Sequence, residues 1–487
     1  MRSLPLVLLA LAACGPKTAE VESSVEVAPA FDRSQAPAPL ERTPFTIPTV
    51  ATGELSNGLA VNLVEDHSVP VVNMTIRFTT GGWTNPEGAE ALAQITFDML
   101  NEGAGELDAV ELSTAQRRLA TDIGTSADMI SGRISLKSLV RNLEPSLDLL
   151  SSVLLEPTFP ESEWELLRAR KLQDLSATRA DPEKIARRVL RRVLFGDEFA
   201  GRLSNEDALN AITVEQMREW WGSHGVASNA AIFASGDITM EELLPMLEAR
   251  LGSWEAGEAL EVASYEVQSP EESTIYFVDK PGAAQSVLRF YTPTPGPGEA
   301  GYEELRLGNQ AFGGMFTARL NMNLREDKGY TYGAHSWTQW DLAPGRWYLG
   351  TSVRTDATGA SVAEIQSELA FTVAGATERP VADEEIEYAR ANIIQGYPGR
   401  FETPSYLLGQ LADVWIHDLP ADWIEGYISR IDAVTPDAAR SAFSEYVATK
   451  PLSGVVVGDW AAVGEGLEAL GFTIVQLDVD GNPISEE

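Results

Sequence analysis

Cysteine, histidine and basic side chains are scarce in this chain, and each shortage excludes a class of protein. Cys14 is the only cysteine among 487 residues, so neither an intramolecular disulfide nor a site built of several thiolates can form. Aspartate and glutamate number 72 against 36 lysines and arginines, which gives a net charge of -36. Such a charge repels phosphate backbones and argues against a nucleic-acid partner. It favours basic peptides or proteins, although an acidic surface also serves solubility alone.

Long apolar segments are missing as well. Past the N-terminus, no stretch approaches the roughly 20 apolar residues that a transmembrane helix requires. The first residues differ, because Arg2 precedes a short apolar run that ends in the tetrapeptide LAAC. This pattern resembles a bacterial lipoprotein signal, which implies cleavage after residue 13 and a membrane-anchoring lipid on the Cys14 thiol. In such lipoproteins, an aspartate after the lipidated cysteine favours retention at the inner membrane. Gly15 occupies that position here, which favours sorting to the outer membrane. The alternative is a buried, unmodified thiol.

The remaining chain predicts a tether and a duplicated unit. Residues 14–48 are rich in Ala, Pro, Glu and Ser and have too few large apolar side chains to build a core, so we expect a tether. Residues 49–258 and 259–480 each show two strands, two helices, two strands, a run of helices and a final strand followed by Gly-Asp. The expected fold class is α+β, with two homologous lobes, each a mixed or antiparallel sheet covered by helices.

Hydrophobic periodicity locates several elements more closely. In the first unit it predicts a helix over 109–123, followed by a strand over 125–131. Thr239 with Glu242 predicts a capping box at the start of a helix. In the second unit one long helical stretch is predicted over 302–328, followed by a strand over 332–340.

The most distinctive segment reads LNMNLREDKGYTYGAHS, residues 320–336. It places Arg325 at the end of the predicted helix and Tyr332 at the start of the following strand. A guanidinium fork and a phenol together could donate hydrogen bonds to a carbonyl oxygen that gains negative charge. Neither group can activate water. An arginine near a helix C-terminus also has a simpler role, in which it faces solvent and complements the helix dipole.

Three stretches carry a family resemblance: LSNGLAVNLVEDHSVPVVNMTIRFTTGG at 55–82, ALAQITFDML at 91–100 and RLNMNLREDKGYTYG at 319–333. Together they resemble the insulinase or pitrilysin family of zinc metallopeptidases, especially bacterial members similar to mitochondrial processing peptidase. The resemblance covers roughly residues 43–477. It implies two clam-like lobes that enclose a chamber for peptides.

The zinc motif of that family is altered here. Catalytic members carry His-x-x-Glu-His, whose histidines bind zinc while the glutamate deprotonates the attacking water. The matching positions are Gln94, Phe97 and Asp98. A neutral amide is a poor zinc ligand and a phenyl ring accepts no proton. The third ligand, a glutamate on a later helix, is also missing, and only Gln173 or Asp174 lies near the expected place.

Histidine offers no substitute, because no two of the chain's four histidines are close enough in sequence for a helical pair of ligands: His67, His224, His335 and His417. The sequence therefore predicts no metal cofactor in this chain.

Arg325 and Tyr332 match the arginine and tyrosine that the family's C-terminal-type lobe contributes to the site. Their implied role is to orient the substrate carbonyl and stabilise the tetrahedral oxyanion. Tyr330 is a rival for Tyr332, and strand alternation would point both the same way. Gly313 and Gly314 are expected to form a structural break between two helices.

The resemblance implies the non-zinc subunit of a heteromeric peptidase. Zinc would reside in a homologous partner that carries His-x-x-Glu-His, and the pair would degrade or process peptides in the periplasm, anchored by lipid at the outer membrane. Two alternatives remain open. One is a catalytically inactive scaffold of the same fold that binds peptides or stabilises an assembly, and the other is an independent peptidase that uses a different site.

Overall fold

The computed structural model describes residues 45–261, 263–341 and 344–484. The predicted signal, most of the predicted tether and Cys14 lie outside these residues. Within them, two six-stranded sheets are covered by helices, which confirms the predicted α+β class with two lobes. The predicted domain boundaries stay a prediction. Phe45, inside the predicted tether, contacts the rings of Tyr397 and Phe401 at centroid distances of 5.4 and 4.9 Å.

The first sheet has the strand order β1-β2-β8-β3-β7-β6. Its β2 and β8 are parallel and all its other neighbours are antiparallel, and β4 and β5 form a separate small hairpin. The strands of the first half are β1 Val50–Glu54, β2 Ala60–Glu65, β3 Val71–Phe78, β4 Gly103–Ala104, β5 Leu107–Asp108, β6 Asp122–Ala127, β7 Gly132–Leu139 and β8 Ala230–Gly236.

Eight helices belong to the first half in the described part of the chain. They are α1 Leu92–Met99, α2 Ala109–Leu119, α3 Leu143–Leu155, α4 Glu161–Ala180, α5 Pro182–Phe195, α6 Glu206–Ala211, α7 Val214–His224 and α8 Met240–Leu251. The predicted capping box before α8 is confirmed, because the Thr239 hydroxyl accepts from the Glu242 N–H while the Glu242 carboxylate accepts from the Thr239 N–H.

The second sheet repeats the topology of the first. Its order is β11-β12-β10-β13-β9-β14, which matches the first sheet strand for strand once the added edge strands β1 and β14 are set aside. The strands are β9 Thr274–Asp279, β10 Gln285–Pro293, β11 Thr331–Gln339, β12 Arg346–Arg354, β13 Ser453–Gly458 and β14 Thr473–Leu477. The helices are α9 Tyr302–Asn309, α10 Arg319–Asn321, α11 Thr358–Phe371, α12 Asp383–Gly396, α13 Pro404–Ile416, α14 Tyr427–Ala433, α15 Pro436–Phe443 and α16 Trp460–Glu468.

Two predicted helices were wrong in extent. The helix predicted over 109–123 ends at Leu119, because Ala120 turns into the left-handed region at φ 48°. Ile123, assigned to that helix, lies in β6 and pairs with Leu136 of β7. The continuous helix predicted over 302–328 is broken after a widened π-helical turn at residues 310–314 and resumes at α10. The break lies at the predicted glycines, where Gly313 approaches Ser336 too closely to admit a Cβ.

Each half of the chain sends one helix across to the sheet of the other half. Ile185 and Val189 of α5 are buried in a cluster with Val287 of β10 and Val455 of β13. Reciprocally, Leu408 of α13 is buried in a cluster with residues of β2 and β8. Because α5 and α13 occupy equivalent places in the two copies, the exchange is symmetric and joins both sheets through shared apolar cores.

Among the described residues, none of the helices combines the length and the apolar character that crossing a bilayer demands.

Candidate functional site

The altered zinc motif lies on α1. Asn85, which precedes this helix, makes hydrogen bonds around its first turn. The Asn85 side-chain oxygen accepts from the Ala93 N–H at 2.7 Å, and its amide group donates to the Glu90 carbonyl at 2.7 Å. Gln94, the first motif position, accepts from the Asn85 amide at 3.3 Å and donates to the Asp128 carbonyl at 3.2 Å. Gln94 is therefore a bridge between α1 and the loop after β6.

Phe97, the second motif position, belongs to the core of the first lobe. Its side chain is fully buried and contacts Phe78 and Trp221 edge-on, both at a centroid distance of 5.4 Å. The ring also lies directly over Gly132 of β7, where a Cβ would overlap it. Aromatic side chains thus surround the position that carries the general base in catalytic members, and this position has no contact with bulk solvent.

Asp98, the third motif position, is held by a lysine that we did not foresee. The Lys171 ammonium of α4 lies 2.6 Å from the Asp98 carboxylate. Both residues line a cavity of about 390 Å³ together with Glu102, Arg170 and Asp174. Burial, and after it the charge of Glu163, raises the pKa of Glu102 above its ordinary value. The only sequence signal for Lys171 was its position on the helix searched for the third ligand.

These residues do not fit a zinc ion. The Lys171 ammonium pairs with the Asp98 carboxylate, which would have to bind the metal. A zinc ion there would lie beside this ammonium, and the two positive charges would repel each other. Gln173 is exposed, and Asp174 lies in the same cavity as Arg170 and Lys171. No group of three or more potential ligands comes together within the described residues.

The four histidines each have an environment of their own. His67 Nδ1 lies 2.7 Å from the Asp237 carboxylate, His224 stacks on Trp220 at 4.5 Å, and His417 contacts Trp340 edge-on at 4.6 Å. Burial lowers the pKa of His224 and of His417. His335 is exposed on β11.

Arg325 lies in a π-helical turn, Met322–Asp327, directly before β11. Its side chain is 38% exposed, and its Nε lies 3.2 Å from the Glu326 carboxylate. The guanidinium stacks over the exposed ring of Phe316 at 4.6 Å. Stacking and pairing fix the plane of the guanidinium while its outer face remains accessible.

Tyr332 is 90% exposed on the edge strand β11. Its direction is set by a β-bulge, since Thr331 faces Val353 whereas Ala334 faces Thr351, so that β11 holds one extra residue against β12. Tyr330, in contrast, is half-buried and packs against the second-lobe core. Tyr330 and Tyr332 therefore differ in exposure, although strand alternation predicted that both would point the same way. Tyr332 is the tyrosine accessible to a substrate.

Two hydrogen bonds between backbone groups close the turn between the two predicted site residues. The Tyr330 N–H donates to the Leu324 carbonyl at 2.9 Å, and the Gly329 N–H donates to the Arg325 carbonyl at 3.2 Å. Gly329 adopts φ 64°, a left-handed conformation that suits glycine. The chain thus reverses tightly between Arg325 and the strand that carries Tyr332.

A model of the family described as Peptidase M16 inactive domain matches residues 211–393. This segment includes Arg325, Tyr332 and the strands that support them. Over this segment the chain is similar to the M16 peptidases. The match confirms the resemblance to insulinase-type peptidases, and a protein named as a zinc protease is among the similar sequences.

Curated proteins of other organisms are similar to this chain over most of their length. The non-peptidase homolog YmxG of Helicobacter pylori is 21% identical over 76% of this chain and 85% of the relative. An uncharacterized zinc protease of Streptomyces coelicolor, SCO5738, is 20% identical over 73% of this chain and 81% of the relative.

Solved structures share the fold. A peptidase M16 inactive domain from Pseudomonas fluorescens superimposes with a TM-score of 0.77 at 22% identity, over 84% of this chain and 98% of that one. A protease from Helicobacter pylori gives a TM-score of 0.75 at 14% identity, over 84% of this chain and 100% of that one.

Proposed function

We propose that this chain is the non-zinc subunit of a heteromeric M16 peptidase and that it contributes Arg325 and Tyr332 to the hydrolysis of peptides. The observation that carries the proposal is the contrast between the two halves. The motif positions on α1 are filled by a buried ring and an ion pair, whereas Tyr332 is exposed on an edge strand. Side chains that can donate to an oxyanion are exposed, and no group of three or more potential metal ligands comes together among the described residues.

In this proposal the zinc belongs to a homologous partner with His-x-x-Glu-His. That partner would supply the metal-bound water, and this chain would bind the substrate carbonyl. The Arg325 guanidinium and the Tyr332 hydroxyl would donate to the carbonyl oxygen as it becomes an oxyanion, and each donor is expected to lower the barrier. The unpaired edge of β11 would let an extended peptide lie beside Tyr332.

The predicted location remains part of the proposal. A lipid on Cys14 would hold the subunit at the periplasmic face of the outer membrane through the predicted tether, residues 14–48. Labelling of growing cells with a radioactive or clickable fatty acid tests this directly. Label on the wild-type chain that is lost in Cys14→Ser supports the anchor, and equal label on both contradicts it.

The catalytic role can be tested by reconstitution with the His-x-x-Glu-His homologue encoded by the same organism. The pair should hydrolyse a peptide that neither protein cleaves alone. Arg325→Ala and Tyr332→Phe should each lower kcat by about 10- to 1,000-fold, because each removes one donor to the oxyanion. Tyr332→Phe keeps the ring and alters a side chain that is almost fully exposed, so the fold should not change.

Tyr388→Phe is the matched control, since Tyr388 is also exposed and lies on α12. It should leave kcat unchanged. Full activity of both Arg325→Ala and Tyr332→Phe pairs would eliminate the proposed role, as would stoichiometric zinc on this chain alone together with chelator-sensitive hydrolysis.

A non-catalytic scaffold is a second candidate, and the pairing of Arg325 with Glu326 favours it. An arginine whose charge is already offset is a weaker oxyanion donor. The relative named non-peptidase homolog points the same way. Peptide binding by the chain alone, with equal affinity in wild type and Arg325→Ala and without hydrolysis in any pairing, would support the scaffold instead.

A further inference from the structure

A cavity of about 330 Å³ lies between the C-terminal part of α5, which packs on the second sheet, and the strands of that sheet. Its walls combine basic and aromatic side chains from α5, β10, β11 and β12. The residues that matter here are Arg187 and Arg191 of α5, Arg289 of β10, Trp337 of β11, and Arg346 with Tyr348 of β12. Four arginines around one cavity are unexpected in a chain whose net charge is -36.

Two of these arginines are neutralised by carboxylates. Arg346 is almost fully buried, pairs with both oxygens of Asp341 and donates to the Tyr348 hydroxyl at 3.0 Å. Arg289 pairs with Glu183 at 2.5 Å. Such charge-assisted pairs fix the wall of the cavity and leave little net charge there.

The other two arginines keep their charge. Arg191 donates to the carbonyls of Ala200 and Arg202, and within the described residues no carboxylate pairs with it. Burial, and after it the charge of Arg188, lowers the pKa of Arg191 to about 10. Arg187 is exposed one helical turn earlier, likewise without a carboxylate within ion-pair distance in the described chain.

The cavity itself is a product of the duplicated fold, but its charge is not. The arginine cavity is lined by four arginines and one acidic residue, Asp341. The equivalent cavity between α13 and the first sheet, about 270 Å³ in volume, has three basic and two acidic residues. Its lining includes Arg77, Arg133 and Lys137 together with Asp122 and Asp413. Packing a helix across each sheet therefore explains both cavities, whereas the larger excess of basic over acidic side chains is found in the arginine cavity.

Aromatic rings give the arginine cavity an apolar side. Trp337 and Tyr348 stack at a centroid distance of 5.5 Å, and Trp337 remains 39% exposed. Leu190 and Leu194 of α5 line the opposite wall. A ligand that suits these walls has an anionic group beside an apolar one, as the end of a peptide does.

We propose that this arginine cavity binds a peptide carboxylate, either a C-terminus or an Asp or Glu side chain. The proposal rests on the proposed function for its role in substrate selection. Trp337 lies five residues beyond Tyr332 along β11, a distance of roughly 17 Å in extended chain. The carboxylate would thus be bound about five residues from the carbonyl held at Tyr332.

Calorimetric titration of the full chain alone with three synthetic octapeptides tests the proposal. All three share one neutral sequence with a leucine near the C-terminus. The first peptide ends in a free carboxylate and the second in an amide. The third also ends in an amide but has one internal glutamate. The free-carboxylate peptide should bind at least tenfold more tightly than the neutral amide. Arg187→Gln should remove most of that difference, because one charge-assisted contact contributes about tenfold in affinity.

Arg118→Gln is the matched control, since Arg118 is an exposed arginine on α2 far from this lining. Arg187 is exposed as well, so neither change should disturb folding. Tight binding of the glutamate peptide also supports the cavity and assigns it to acidic side chains. Equal affinity for all three peptides, or equal affinity of wild type and Arg187→Gln for the free-carboxylate peptide, overturns the proposal. Because no partner or hydrolysis is involved, such a result leaves the proposed peptidase role to its own test.

Discussion

At the scale of single residues, the three altered motif positions are stabilised in three different ways. Gln94 joins two segments through amide hydrogen bonds, Phe97 fills the core, and Asp98 pairs with Lys171. Each replacement has acquired contacts that a metal ligand could not share. The chemistry of the side chains alone predicted that zinc would not bind, whereas their present partners could be seen only in the folded chain.

Phe97 tests this argument, because restoring the acidic residue should be costly. Phe97→Glu would place a carboxylate among Phe78, Trp220 and Trp221, where an unpaired charge is strongly disfavoured. We expect it to destabilise the fold more than Phe97→Ala, which should cost about 3–5 kcal/mol. Urea denaturation followed by circular dichroism measures both.

Phe97→Leu is the conservative control and should cost less than Phe97→Ala, since it keeps most of the buried volume. If Phe97→Glu were as stable as wild type, the carboxylate would have access to water or to a cation, and the packed ring would not explain the loss of the site.

At the scale of elements, the supports of β11 are as important as the residues it presents. Asn309 at the end of α9 is buried and satisfies three groups at once. Its side chain donates to the Ser336 carbonyl at 3.2 Å and accepts from the Ser336 hydroxyl at 2.6 Å and from Trp347 Nε1 at 2.7 Å. One amide therefore fixes β11 and β12 against the helix layer.

Asn309→Leu should destabilise the protein by about 2–5 kcal/mol, because it leaves the Trp347 N–H and the Ser336 hydroxyl buried without an acceptor. Chemical denaturation gives the free energy of unfolding directly. Gln310→Leu is the control, as Gln310 makes a single exposed hydrogen bond to Asn392 and should cost under about 1 kcal/mol. If both variants lost less than about 1 kcal/mol of unfolding free energy, Asn309 would not be the residue that fixes β11 and β12.

The elements that the sequence predicted best are those with clear alternation or caps. The strand predicted over 332–340 corresponds to β11, and the helix α8 begins directly after Thr239, as the capping box predicted. The edge strands β1 and β14 were missed because neither has the alternating apolar pattern of a strand with one buried face. Helix α16 was missed because glycines weaken its local propensity. One of them, Gly466, contacts Gly359 of α11 closely, so tertiary packing explains the helix.

In the candidate site too, features with a local sequence pattern were predicted, whereas features that depend on tertiary contacts were not. Arg325 and Tyr332 were singled out by residue type and by the family resemblance, and their role stays a prediction. The bulge that separates Tyr332 from Tyr330 was not predicted, since bulges depend on pairing with β12. The arginine cavity could not be anticipated either. It needs a helix of the first half to lie on the sheet of the second, and no local pattern encodes that contact.

At the scale of the whole molecule, the exchanged helices make the two lobes one folding unit. Cutting between the lobes would expose the apolar faces of α5 and α13, which each lobe covers for the other. We therefore expect one cooperative transition in urea, in which strands of both sheets lose protection from hydrogen exchange at the same midpoint.

Ile185→Ala makes this expectation specific, because Ile185 belongs to the first half yet is fully buried in the cluster on the second sheet. Its loss should cost about 2–5 kcal/mol and should lower the midpoint for β3 and for β10 by the same amount. Val110→Ala, at an exposed position on α2, should leave both midpoints in place. Separate midpoints for the two sheets, or a shift confined to β10, would mean that the lobes fold independently. The cavity under α5 could then open without unfolding the first lobe, and peptide binding there would become coupled to lobe motion instead of being fixed by the shared core.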